Sequence, residues 1–152
     1  AKHIPLLVGM GFDQIIYLAL TTSNTAIEKE YMHVAVDFSK PSLRNFELVA
    51  ALLNNSGDQK SLIHCQVNYR ASTFSSLYRV IYLGVPVDEA KRDLDKVWGP
   101  DPVWYRFIID TLAACGMSHE CDACDWQERV RLIPYYLGVF IRRWCQTLKP
   151  PN

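Results

Sequence analysis

The chain has 152 residues, with 16 basic and 16 acidic side chains and a formal net charge of zero. Its length fits one domain of ordinary size, and 49% hydrophobic with 21% charged residues fits a soluble globular protein with a full core. The balanced charge argues against a nucleic-acid binder and a polybasic membrane anchor, but not against a small anionic ligand, which needs only one arginine and oriented amides. No apolar run reaches the roughly 18 residues of a membrane span, and AKHIPLLVGMGFDQ lacks a signal-peptide layout. The compartment is therefore read as cytoplasmic or periplasmic.

In chain order, residues 3–10 read as the end of a helix closed by Gly11. DQIIYLAL (13–20) is a β-rich apolar run and predicts a buried strand. TTSNTAIEKE offers N-caps for a short helix over 25–30, and YMHVAVDF (31–38) predicts a second strand. The helix would then meet the strand without a turn at Glu30–Tyr31, as if residues were missing there. SLRNFELVAALLNN (42–55) sets Leu43, Phe46, Val49 or Ala50, and Leu53 on one helical face. KSLIHC (60–65) predicts a third strand.

A helix follows over 72–83, with Gly84 suited to its C′ position. Pro86 and the acids after it open a helix over 86–98, and Pro102 opens another over 101–115. The segment 125–148 predicts a last helix bent at Pro134, with Arg129, Arg131, Arg142 and Arg143 on a solvated face. Strands alternate with helices early and helices cluster late. The fold class is α/β, a mostly parallel central sheet flanked by helices, with a helical C-terminal part.

In SLIHCQVNYRAS (61–72) an apolar strand runs into His64 and Cys65, and four residues separate Cys65 from Arg70. A strand, a cysteine and a short loop closing on a helix N-terminus make an anion nest, with amides pointing inward and the helix dipole adding positive potential. The same field favours a thiolate over a thiol. An arginine at the loop's end supplies a planar fork for two oxygens. The plain alternative is a packed structural cysteine beside a surface arginine.

LIHCQVNYRAS resembles the active-site segment of the protein tyrosine and dual-specificity phosphatase superfamily: His-Cys, five residues, Arg, then Ser or Thr. The resemblance implies a phosphocysteine formed on Cys65, with His64 supporting the low thiol pKa through local hydrogen bonds. It also implies Arg70 gripping the phosphate, together with the amides of Gln66, Val67, Asn68, Tyr69 and Arg70. Ser72 or Thr73 would stabilise the thiolate, and Tyr69 would meet a phosphoaryl ring. From about residue 4 to 114 the order of elements is similar to a small dual-specificity-like phosphatase. VAVDFSKPS and HCQVNYRASTFSSLYRV look like a bacterial branch of phosphatase-like proteins, some with a similarly short Cys-x4-Arg loop. The domain reading is one phosphatase-like unit over 1–152, its core about 1–114 and a helical extension about 115–152.

This loop departs from the family's pattern by one residue. With Cys65 aligned and no gap, Asn68 takes the usual glycine position, Ala71 the arginine position and Ser72 the hydroxyl position. With Arg70 aligned, the loop is shortened and Ala71 replaces the hydroxyl residue. One step on a helix turns a side chain by about 100°, so turnover is expected to suffer. A six-residue Cys-to-Arg loop also resembles that of rhodanese-like sulfurtransferases. The His before Cys, the missing rhodanese glycine and an upstream acid count against that reading.

That acid is Asp37, 28 residues before Cys65. The resemblance implies a general acid at about this distance, because the leaving oxygen must be protonated. A strand-end aspartate capping a turn is the plain alternative. Asp101, in GPDP, is the fallback and reads better as a helix N-cap.

Cys115, Cys121, Cys124 and Cys145, with His119, leave zinc, disulfides and free thiols all open. Trp98, Trp104, Tyr105 and Phe107 are expected in the core, and His33 packed in its strand. The expectation is a metal-free, cofactor-free phosphomonoester phosphatase acting on a phosphorylated substrate, with phosphate or sulfate fitting the loop. A phosphate-binding pseudophosphatase and a sulfurtransferase are the alternatives.

Overall fold

β1 (Gln14–Leu18) is the middle of a three-stranded, all-parallel sheet, between β2 (Glu30–Val34) and β3 (Ser61–His64). The computed structural model describes residues 9–21, 30–121 and 124. All five residues of β1 are buried, which is why its sequence is apolar without alternation. Gln14 is the polar exception, and its Oε1 accepts from Ser61 Oγ at 2.9 Å. In register, Tyr17 lies opposite His33 on one side and His64 on the other, so the three rings form one cross-strand row.

The second strand is shorter than the alternation in 31–38 predicts. Past Val34 the ladder ends: Val36 N–H makes one further in-register bond, to the Ala19 carbonyl at 3.2 Å, and the Ala35 carbonyl accepts from Asn45 Nδ2 at 3.0 Å instead of from a strand. With their polar groups satisfied this way, residues 35–41 become a loop, and Asp37 sits on it rather than at a strand end. The Glu30–Tyr31 join lies inside β2, so no helix-to-strand junction exists there. The helix expected over 25–30 otherwise falls outside the described residues, as does most of the segment 3–10.

α1 (Leu43–Asn54) starts where Ser42, in extended conformation, accepts the Asn45 N–H at 3.3 Å. Its Phe46, Val49 and Ala50 are buried, on the face the periodicity predicts. The helix lies against β2. Together the sheet and α1 belong to one compact unit that ends at Ala71.

The second unit begins at Ser72. It contains most of α2 (Tyr69–Leu83), then α3 (Val87–Asp95) and α4 (Pro102–Ala114). Gly84, at φ +68°, closes α2 as expected. Arg79 on α2 pairs with Asp93 at 2.9 Å and Glu89 at 3.2 Å on α3. The aromatic core is Phe74, Trp104 and Phe107, with centroids 5.5–6.3 Å apart. Tyr105 is buried as well, and Trp98 packs edge-on against Trp104.

Cys121 and Cys124 form a disulfide, and Cys115 is also disulfide-bonded. These thiols are therefore not zinc ligands, and among the described residues no three His, Cys, Asp or Glu side chains gather as a metal site. Cys145 and the helix expected over 125–148 lie outside the described residues. Among the described residues no helix is long and apolar enough to cross a membrane.

Candidate active site

The parallel strands end on one edge of the sheet, at Leu18, Val34 and His64. Strand order β2-β1-β3 makes β1 the point from which the chain's connections diverge, and ligand crevices of open α/β sheets form beyond the carboxyl ends of such strands. Cys65 directly follows β3 at this edge, half-buried, and is the free thiol among the described residues.

Gln66, Val67 and Asn68 are exposed, and Asn68 adopts φ +66°. That left-handed conformation suits glycine best and asparagine next. It falls at the position that the ungapped alignment gives to glycine. After this turn the helix begins at once: α2 starts at Tyr69, not Ser72, so Tyr69 and Arg70 belong to its first turn. The amides that open this helix have no partners within it and face the end of the loop. Ser72 and Thr73 follow on the same helix, half-buried and fully buried respectively.

Arg70 turns toward the 35–41 loop. Its guanidinium carbon lies 5.3 Å from the centroid of Phe38, and its Nε is buried with no hydrogen-bond partner among the described residues. Tyr69 approaches the same ring, at 6.4 Å between centroids.

Asp37 Oδ1 accepts from Ser39 Oγ at 2.8 Å and Ser39 N–H at 2.9 Å. These two bonds hold its carboxyl below the ordinary value of 3.8. Attraction to Arg70 and Lys40 adds to them, and desolvation opposes them. The aspartate is thus brought into the electrostatic neighbourhood of Arg70, in the turn-capping geometry.

His64 stacks on Tyr17 at 4.7 Å, and burial pushes its pKa below 6.5 against a hydrogen bond with the Cys65 backbone. Its Nε2 is buried without a hydrogen-bond partner among the described residues. A neutral imidazole influences the neighbouring thiol through orientation rather than charge. His33 Nε2 lies 2.9 Å from the Ala19 carbonyl, a packed histidine as expected.

Within the first unit, then, Cys65, the loop residues, Arg70 and Asp37 share the carboxyl edge. Asp101 belongs to the second unit, where its carboxylate accepts the Trp104 N–H at 3.0 Å and caps α4, the helix N-cap role its sequence context suggests. Sequence reasoning missed Phe38, Ser39 and Tyr17. Asp-x-Ser after a strand is an Asx-turn signature that points to Ser39. Pairing register alone reveals Tyr17, and no local signal marks Phe38.

No family model matches the chain, and no curated protein matches it. Two crystal structures from Shewanella putrefaciens CN-32 do, both described as "Putative phosphatase (DUF442)". Each is 24% identical to this chain and covers 74% of it, spanning 78% and 80% of the Shewanella chains, with TM-scores of 0.64 and 0.63. At that identity the likeness is one of fold: this chain shares with those proteins an α/β architecture built on a small parallel sheet with helices.

Proposed function

We propose that the protein is a cysteine-dependent phosphomonoester phosphatase of the tyrosine and dual-specificity type, built as one phosphatase-like domain over 1–152 with its core about 1–114 and an extension about 115–152. One observation carries this reading. Cys65 directly follows β3, a parallel strand flanking the central β1, and a tight loop with a left-handed Asn68 returns the chain to a helix whose first turn bears Arg70. The phosphatase description of the Shewanella proteins, which share the fold, agrees with it.

In the first step the Cys65 thiolate attacks phosphorus and the bond to the leaving oxygen breaks. The amides of 66–70 and the Arg70 fork take up the charge on the phosphoryl oxygens. Asp37 gives its proton to the leaving oxygen. In the second step water attacks phosphorus, Asp37 takes the water's proton, and the thiolate departs with the S–P electron pair. His64 orients Cys65.

A second reading, a phosphate-binding protein with little turnover, is favoured by the ionised, Ser39-bonded Asp37. The two separate by rate. Hydrolysis of an aryl phosphate across pH 5–8 is expected to vanish in Cys65→Ser and to fall at least about a hundredfold in Arg70→Ala, the scale for loss of one oxyanion donor. Wild-type turnover no higher than that of Cys65→Ser, with phosphate still bound, would establish the low-turnover reading instead.

A further inference from the structure

Asn68 in the left-handed region supports the alignment without a gap, and that alignment leaves Arg70 one position early. One helical step is a rotation of about 100°. An arginine so displaced needs something outside its own loop to aim it. Arg70 follows β3, whereas Phe38 follows β2, on the opposite side of β1. Two strand spacings, about 9–10 Å, separate those flanking strands. The guanidinium nevertheless lies over the Phe38 ring at 5.3 Å, and the neighbouring Tyr69 ring closes on Phe38 at 6.4 Å. Residues 37–38 and 69–70 thus meet beyond the end of β1.

We infer that Phe38 is the positioning residue for Arg70: its ring holds the guanidinium at the carboxyl edge of the sheet, where a phosphate above Cys65 can receive it. The ring face attracts the cation without using any of its N–H donors, so those donors remain for the anion. A carboxylate in the same place would bind the fork bidentately and compete with phosphate. Asp37 is close enough to feel Arg70, but the distances on Asp37 Oδ1 show bonds to Ser39. The inference rests on the anion-loop reading of Cys65–Arg70.

The test compares wild type, Phe38→Tyr and Phe38→Leu by NMR of the Arg70 side chain, assigned with Arg70→Lys, and by titration with inorganic phosphate. Wild type and Phe38→Tyr are expected to show Arg70 resonances shifted upfield by the ring. Phe38→Leu is expected to lose that shift and to bind phosphate about two- to fivefold more weakly, the scale of an exposed cation–π contact. Phe38 lies on a loop and is half-exposed, so Phe38→Leu should fold, and thermal unfolding checks this. Arg70 resonances that do not move in Phe38→Leu, or equal phosphate affinity in all three proteins, would overturn the inference. Failure of the wild type to bind phosphate while the ring shift is present would instead overturn the anion-loop reading.

Discussion

The ring of Tyr17 stacks on that of His64, 4.7 Å between centroids and 30° between planes, one residue before the free cysteine. Tyr17 is 7% exposed and holds this place from the central strand. Tyr17→Phe should keep the stack. Tyr17→Leu should cost about 1–3 kcal/mol in urea denaturation, combining a lost aromatic pair with imperfect packing. It should also change the rate at which Cys65 is alkylated, while Tyr17→Phe leaves that rate near wild type.

Because burial lowers the His64 pKa, the unfolded chain binds a proton more readily than the folded one. Stability is therefore expected to decline as pH falls below about 6.5 toward the folded pKa, and to be independent of this group above that range. His64→Gln should flatten this part of a stability-versus-pH curve. An unchanged slope would show that the ring does not titrate as described.

Asp37 has the opposite catalytic consequence. Its carboxyl is held down first by the Ser39 hydroxyl and amide, so the protonated acid is scarce in the free protein at neutral pH. Ser39→Ala removes the hydroxyl bond. It should raise the Asp37 pKa and extend the basic limb of kcat/KM to higher pH for substrates with poor leaving groups. Aryl phosphates with good leaving groups should respond less. The stability contributed by the depressed Asp37 is present above the unfolded pKa of about 3.8 and is lost as pH falls through the folded value.

At Asn68 the left-handed backbone sets the expectation. Asn68→Gly should be tolerated, whereas Asn68→Ala should cost about 1 kcal/mol and Asn68→Val more, since a β-branched side chain fits φ +66° worst. Chemical denaturation gives the ranking, and phosphate titration shows whether the loop's affinity follows it.

Asp101 gives a control away from the loop. Asp101→Ala removes the acceptor for the Trp104 N–H and should cost about 1 kcal/mol of stability. Hydrolysis by the folded variant should match wild type. A selective loss of turnover would return Asp101 to consideration as the general acid.

Local chemistry made much of the fold legible. The apolar run around Ile15 and Ile16 marked β1, the apolar spacing marked α1, and Asp101-Pro102 and Gly84 marked helix ends. The misplacements arose where a distant group changed the local outcome. β2 stops early where the Asn45 side chain takes the Ala35 carbonyl. α2 starts early because a left-handed turn at Asn68 precedes it, although Tyr69-Arg70-Ala71 holds no capping residue. At the site, adjacency in sequence revealed His64, Cys65 and Arg70. The approach of Phe38 to Arg70 spans 32 residues and exists only because the sheet sets β2 and β3 on either side of β1.

The order of strands also governs how the chain is made. Gln14 pairs with Ser61, so the middle strand is synthesised 47 residues before the partner that leads into Cys65. At 5–20 residues per second, that is a wait of roughly 2–9 s for a nascent segment reading QIIYL. During that interval one edge of β1 stays open to any other extended chain. The cysteine loop takes shape only when β3 arrives to close it.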